Sequence, residues 1–277
     1  MAFSFARERR SCQELQRALQ SPGWHLALLP VGCYEQHGPE LPLDTDLLEA
    51  EELTQRLALR LNQKSGIQTY CLPSLAYTPS EPNKDFSGTV SVSCDAFRAY
   101  FESLVRGILR TEYSGVIIVN AHGSVGPILD EMTFKLVMEQ FDAGKHPIRP
   151  ILSVNTYDVW SKVEAEFGQK PGLHADWCEL LMTFAVLGES YYGLEKLERL
   201  KQFSREHDFD QTFPRVLGIP AHLRSVQGVQ GQPWPGEPSD FADLAGRYWE
   251  FVESEVLALV LSELERFEQE FSQARLS

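Results

Sequence analysis

The stretch HLALLPVGCYEQHGPELPLDTDLLEAEELTQRLALRL, His25 to Leu61, decides the fold. Its opening HLALLPVG (His25 to Gly32) is a short apolar run closed by Pro and Gly, which favours a buried strand over a helix. Its end, LLEAEELTQRLALRL, spaces apolar residues at helical intervals, and the acidic Asp46 before it suits the positive end of a helix. Asp46 is therefore expected to be a helix N-cap as well as a source of a carboxylate. The loop between strand and helix is unusually rich in groups that can bind a cation.

The alternation continues outward. A second strand is predicted in IQTYCLPSL (Ile67 to Leu75), a third in GVIIVNAHG (Gly115 to Gly123) and a fourth in IRPILSVNTY (Ile148 to Tyr157). Helices are predicted over Asp95 to Thr111, Pro127 to Phe141, Asp176 to Val186 and Phe241 to Phe271, after a short amphipathic segment near Ser11 to Gln20. Strands alternating with helices imply an α/β chain with a mainly parallel sheet covered on both faces. No repeat or low-complexity linker interrupts it. The Pro- and Gly-rich GVQGQPWPGEPSD (Gly228 to Asp240) joins the body to the last helix, so residues 1–277 are expected to form a single domain.

With 43% hydrophobic and 23% charged residues, the 277-residue chain has ordinary globular composition. Its net charge of -14, from 39 acidic and 25 basic residues, repels phosphate backbones and anionic lipids, so neither nucleic acid nor membrane is an expected partner. No apolar run approaches the roughly 20 residues of a spanning helix, and MAFSFARERRSCQ lacks a signal-peptide core, which predicts a cytoplasmic protein. The five cysteines, Cys12, Cys33, Cys71, Cys94 and Cys178, form no CxxC pair, arguing against both a disulfide framework and a thiolate zinc site. Cys33 reads as a small core residue at a strand end rather than a nucleophile.

In open α/β sheets ligands bind at the carboxyl ends of strands, and the polar residues of interest follow Val31 and Val119. Glu35, His37 and Asp46 offer a mixed oxygen and nitrogen shell suited to Zn, Mn or Fe. Residues two apart on an extended backbone point in opposite directions, so Glu35 and His37 must face two ions or sit on an irregular loop. His122, in VNAHGS, can aim across the strand ends. His174 and Glu179, in HADWCE, are five residues apart, and both reach one site only if His174 precedes the first helical turn. The plainer alternatives are a polar loop, a satisfied turn histidine at His122 and a buried hydrogen-bonding role for Glu179. Trp160 and Trp177 are either covers for a small cyclic substrate or core residues.

PVGCYEQHGPELPLDTD closely resembles the creatininase family signature P-x-G-x-x-E-Q-H-G-P-H-L-P-L-x-T-D. FSGTVSV (Phe86 to Val92), NAHGS, HADWCE and GVQGQPWPGEPSDFADLAGR resemble, in the same order, further elements of that family. The resemblance implies a three-layer α/β/α enzyme, usually a homohexamer, with two divalent metal ions that hydrolyses a cyclic amide, a formamide or a related C–N bond. It implies that Glu35 and His122 bind one metal, His37 the other, and that Asp46 bridges both. Ser124 stands where creatininase itself supplies a further carboxylate, which argues against creatinine as substrate, and Glu179 is offered as the replacement. His174 is expected either to carry a proton to the departing nitrogen or to support the metal ligands from behind. Asp176 stands at a usual Gly, Gly172 at a frequent acidic position, Ala121 at a turn glycine, and Leu180 and Leu181 at a T-S pair. Those departures keep three readings open: an amidohydrolase of another substrate, a peptidase or deformylase acting on a modified peptide or a purine- or pterin-pathway intermediate, and a metal-stabilised oligomer without catalysis.

Overall fold

Strand β1 (Trp24–Val31) is buried from His25 onward and lies in the middle of the sheet. It is seen in a computed structural model that describes residues 9–144, 147–207, 209, 226–236 and 240–273. Residues 1–8 of the N-terminal stretch and 237–239 of the Pro- and Gly-rich loop therefore lie outside the described residues. Among the described residues β2 (Ile67–Cys71), β1, β3 (Gly115–Asn120) and β4 (Ile151–Asn155) form one parallel sheet in that spatial order.

Period-two alternation along the strands sends side chains to opposite faces and builds two cores. Leu26, Leu28, Ile117 and Val119 face one layer, made by α2 (Thr45–Asn62), α6 (Trp177–Leu187) and α8 (Phe241–Gln273), with α5 (Trp160–Phe167) and α7 (Leu194–Glu206) at its margin. Ala27, Leu29, Val116 and Ile118 face the other, made by α3 (Cys94–Leu109) and α4 (Gly126–Asp142), with α1 (Cys12–Leu19) packed beside them. Helix–sheet–helix layering is the predicted α/β/α architecture. No described helix is long and apolar enough to cross a membrane.

Several boundaries differ from expectation for identifiable reasons. Asp46 is not the N-cap of α2: Asp44 holds that position, without a side-chain cap bond, and Asp46 sits in the first turn. Its carboxylate is turned to His37 and His122 instead of to backbone N–H groups. β3 stops at Asn120 rather than running to Gly123, because the Asn120 side chain bonds both the N–H and the carbonyl of His122 and bends the chain there. Helices α5 and α7 were not predicted from the pattern. In α7 only Leu200, Phe203 and Ser204 are buried, too few to leave a clear apolar stripe.

One glycine fixes how closely β1 approaches α2. A Cβ at Gly32 would lie 2.7 Å from the Asp46 carbonyl carbon and 2.7 Å from the Leu47 nitrogen, both backbone atoms. Only glycine lets the strand end pass beside the first turn that carries Asp46. Gly32→Ala should lower unfolding stability by about 1–3 kcal/mol, read as a reduced urea midpoint at unchanged slope. An unshifted midpoint would show that this approach is not tightly constrained.

Candidate metal centre

Val31, Asn120 and Asn155 are aligned in register at the carboxyl edge of the sheet, and the loops that leave β1 and β3 meet there. Glu35 and His37 come from an irregular loop after β1, Asp46 from the first turn of α2, His122 from the turn after β3. His174 lies before α6 and Glu179 in its first turn, the arrangement their spacing requires. Glu35, His37, Asp46, His122 and His174 are all at most 7% exposed, and the Glu179 side chain is 12% exposed.

Asp46 is the hub. Its Oδ1 lies 3.0 Å from His37 Nε2 and its Oδ2 lies 2.9 Å from His122 Nδ1. Glu35 Oε1 is 3.4 Å from His122 Nδ1 and 3.4 Å from His174 Nδ1, while Glu179 Oε2 is 3.9 Å from His37 Nε2. Two sets of donors therefore share one carboxylate: Glu35, His122 and Asp46 Oδ2 on one side, His37, Glu179 and Asp46 Oδ1 on the other. In the second set the candidate ligand atoms all lie within 4.8 Å of one another, as do those of Glu35, His37 and His174.

Backbone carbonyls decide which ring nitrogens face inward. A carbonyl only accepts, so His37 Nδ1 donates to the Glu35 carbonyl at 3.0 Å and His122 Nε2 to the Pro79 carbonyl at 2.9 Å. His174 Nε2 donates to the Gln36 carbonyl at 2.7 Å. The remaining nitrogen of each ring then presents a lone pair to carboxylate oxygens, which are themselves lone-pair donors. Such an arrangement is repulsive unless a proton or a metal ion stands between. Glu35 Oε1 and Asp46 Oδ2 are buried with no hydrogen-bond partner among the described residues, as oxygens that ligate a cation would be. The donor set fits a divalent metal of the Zn, Mn or Fe kind.

The charges answer this geometry. Burial works to lower the pKa of His37, but Asp46 and its hydrogen bond outweigh burial and raise it to about 10. His122 is likewise driven up to about 9, burial being overcome by Glu35 and Asp46. Glu35 and Asp46 move below the usual carboxylate range, since the imidazoles outweigh their burial. His174 moves the other way, to about 4, through burial and the nearby charge on His37. Glu179 is raised to about 8, mainly by burial, with Asp176 and Asp46 adding to the rise against the opposing pull of His37.

Residues that sequence reading missed support this cluster. Ser80 Oγ and Asn83 Nδ2 both donate to Glu35 Oε2, the latter at 3.1 Å, and Gln36 Nε2 holds Asn83 Oδ1 at 2.9 Å. They come from the loop after β2, where TPSEPN reads only as an irregular polar segment. Glu49, one turn beyond Asp46 on α2, is 1% exposed, and its Oε1 has no hydrogen-bond partner among the described residues. Its position in an amphipathic helix gave no signal beyond that of a solvated face.

The remaining candidates fall into place. Ser124 is exposed. Cys33 is fully buried, donates to the Thr78 carbonyl and has its thiol pushed up to about 12, mainly by burial, so it stays a protonated core residue. Trp177 is 1% exposed and donates to the Lys170 carbonyl, which makes it core rather than substrate cover. Trp160 instead lines a small cavity with Tyr157, Leu173, Met182, Glu49 and Glu179. Asp176 caps α6, accepting from the Cys178 and Glu179 N–H groups, and also accepts from Gly172 N. A Cβ on Gly172 would meet the Gln230 carbonyl oxygen at 2.6 Å, Asp176 Cβ at 2.7 Å and Gly231 Cα at 2.8 Å, so only glycine fits where residues 172, 176, 230 and 231 converge. Ala175 has the left-handed φ of 52°, which turns its N–H to Glu179 Oε2 at 2.5 Å.

The α/β/α layer fold is shared with solved creatininases. A manganese creatininase aligns with a TM-score of 0.69 over 92% of this chain and 96% of that one, at 17% identity. The family model described as "Creatininase: Creatinine amidohydrolase" matches residues 8–241, and the chain belongs to the creatininase family. Among relatives, the mycofactocin precursor peptide peptidase of Mycobacterium ulcerans is 33% identical over 135 residues, 44% of this chain and 49% of that protein. The 3-dehydro-scyllo-inosose hydrolase of Thermotoga maritima is 27% identical over 169 residues, 59% of this chain and 51% of that protein. The chain thus spans about half the length of the curated relatives it matches.

Because His37 and His122 titrate near about 10 and about 9, both carry protons at neutral pH until a metal displaces them, whereas His174, at about 4, is already neutral. Titrating Mn or Zn into metal-free protein near pH 7 should therefore release protons. Calorimetry in two buffers of different ionisation enthalpy measures that release, and His122→Ala should reduce it. Metal uptake with no proton release would contradict the facing lone-pair arrangement.

Proposed function

We propose that the protein is a metal-dependent hydrolase of an amide-type C–N bond. The observation that carries this is the Asp46 carboxylate set between two imidazoles, each held with its lone pair inward by a backbone carbonyl. Glu35, His122 and Asp46 Oδ2 would hold one divalent ion, and His37, Glu179 and Asp46 Oδ1 the other. Bound there, such ions polarise a carbonyl and lower the pKa of a water from about 15.7 to roughly 7.

The chain's own residues supply the rest. Ser80 and Asn83 fix Glu35 through its Oε2 and leave Oε1 directed inward. The Gln36 carbonyl fixes His174 through Nε2, leaving Nδ1 as a bare acceptor in the site. His174 takes at Nδ1 the proton that the attacking water gives up and passes it to the departing nitrogen. Trp160, Tyr157, Leu173 and Met182 form an apolar wall beside Glu179 that limits water near the reacting bond.

Within this class we favour a peptide amide over creatinine. Ser124 offers no carboxylate and is exposed, and the Mycobacterium ulcerans relative is named as a peptide peptidase.

Asp46→Asn should abolish binding of both ions and lower turnover by on the order of 10³-fold or more. Glu179→Gln should retain one ion and lose the other. Elemental analysis of the full chain, with hydrolysis assays on short peptides, lactams, formamides and creatinine, measures both outcomes. Unchanged metal content and turnover in Asp46→Asn would falsify the assignment.

A further inference from the structure

Glu49 belongs to none of the ligand clusters formed by the described residues, yet its carboxylate is buried in the same rim. Its Oε1 has no hydrogen-bond partner among the described residues. It lines a cavity of about 20 Å³, room for about one water-sized group, with Glu179 beside it and Trp160, Tyr157, Leu173 and Met182 as walls. Leu173 is 46% exposed, so the cavity sits beside the molecular surface.

Charge narrows what belongs there. Burial, Glu179, Asp46 and Asp176 all push the Glu49 carboxyl well above the usual carboxylate range. Glu49 can therefore carry a negative charge in this place only with a positive group against its free oxygen. An ion pair needs a cation that donates hydrogen bonds, and a cavity of one water's size excludes a guanidinium or a quaternary ammonium. A primary ammonium matches in charge, in donor number and in volume. The aromatic walls add attraction for a cation.

We propose that Glu49 is a substrate-binding residue whose free oxygen receives a primary ammonium group, so that the protein acts on amides that carry a free amine close to the bond that breaks. This rests on the metal-dependent hydrolase reading above.

The test uses the full-length protein loaded with Mn(II) and three probes: methylammonium, methanol and tetramethylammonium. Loss of the free Mn(II) electron paramagnetic resonance signal reports metal uptake, and relaxation of the probe's methyl protons by bound Mn(II) reports probe binding. Methylammonium should bind at least about tenfold more tightly than either methanol or tetramethylammonium. Glu49→Gln should abolish that preference while taking up Mn(II) normally. Equal relaxation of all three probes, or a preference that survives Glu49→Gln, overturns the proposal. If Glu49→Gln does not fold, the three-probe comparison on the wild-type chain decides alone. Failure of the wild-type chain to take up Mn(II) counts against the metal reading instead. Glu49 is then judged by saturation transfer from metal-free protein to methylammonium, in which no preference for methylammonium over methanol overturns the proposal.

Discussion

A buried carboxylate that faces the lone pairs of two imidazoles is the constraint on which the rest of the rim depends. Leaving a buried charge without compensation costs several kcal/mol, against a net stability of about 5–15 kcal/mol for a whole domain. The cluster around Asp46 is therefore tolerated only with positive charge at its centre, supplied by protons on His37 and His122 or by metal ions in their place. Carbonyls at Glu35, Pro79 and Gln36 keep the rings turned inward, so the demand is built into the backbone and does not relax by rotation of a side chain.

The parallel sheet makes this convergence possible. All its carboxyl ends lie on one edge, and residues distant in sequence meet where β1 and β3 finish in register. Close contact between the end of β1 and the first turn of α2 brings Asp46 into that edge. The loop after β2 closes the far side of Glu35 with Ser80 and Asn83.

Much of the framework was legible in the sequence because it is periodic. Each of the four strands appears where an apolar run ends in Pro, Gly or a polar turn, and the two-faced cores follow from alternation along β1 and β3. Glu35, His37, Asp46 and His122 stood out as ligand-type residues at strand ends, and the structure brings them together. Asp46 was misplaced by one detail, since its acidic character at a helix start suggested a cap when its partners are imidazoles. Ser80, Asn83 and Glu49 were illegible for a different reason. Hydroxyl, amide and surface-like acidic residues are abundant in loops and helices, and only the tertiary arrangement shows which of them is desolvated.

The fit between Gly172 and Asp176 also bears on how this loop can evolve. The Asp176 Cβ and the backbone of residues 230 and 231 all close on position 172, so any side chain there forces apart the two segments that meet before α6 and disturbs the carboxylate that caps it. Natural variation should therefore leave residue 172 as glycine wherever this packing against residues 230 and 231 is retained, whatever residue stands at 176.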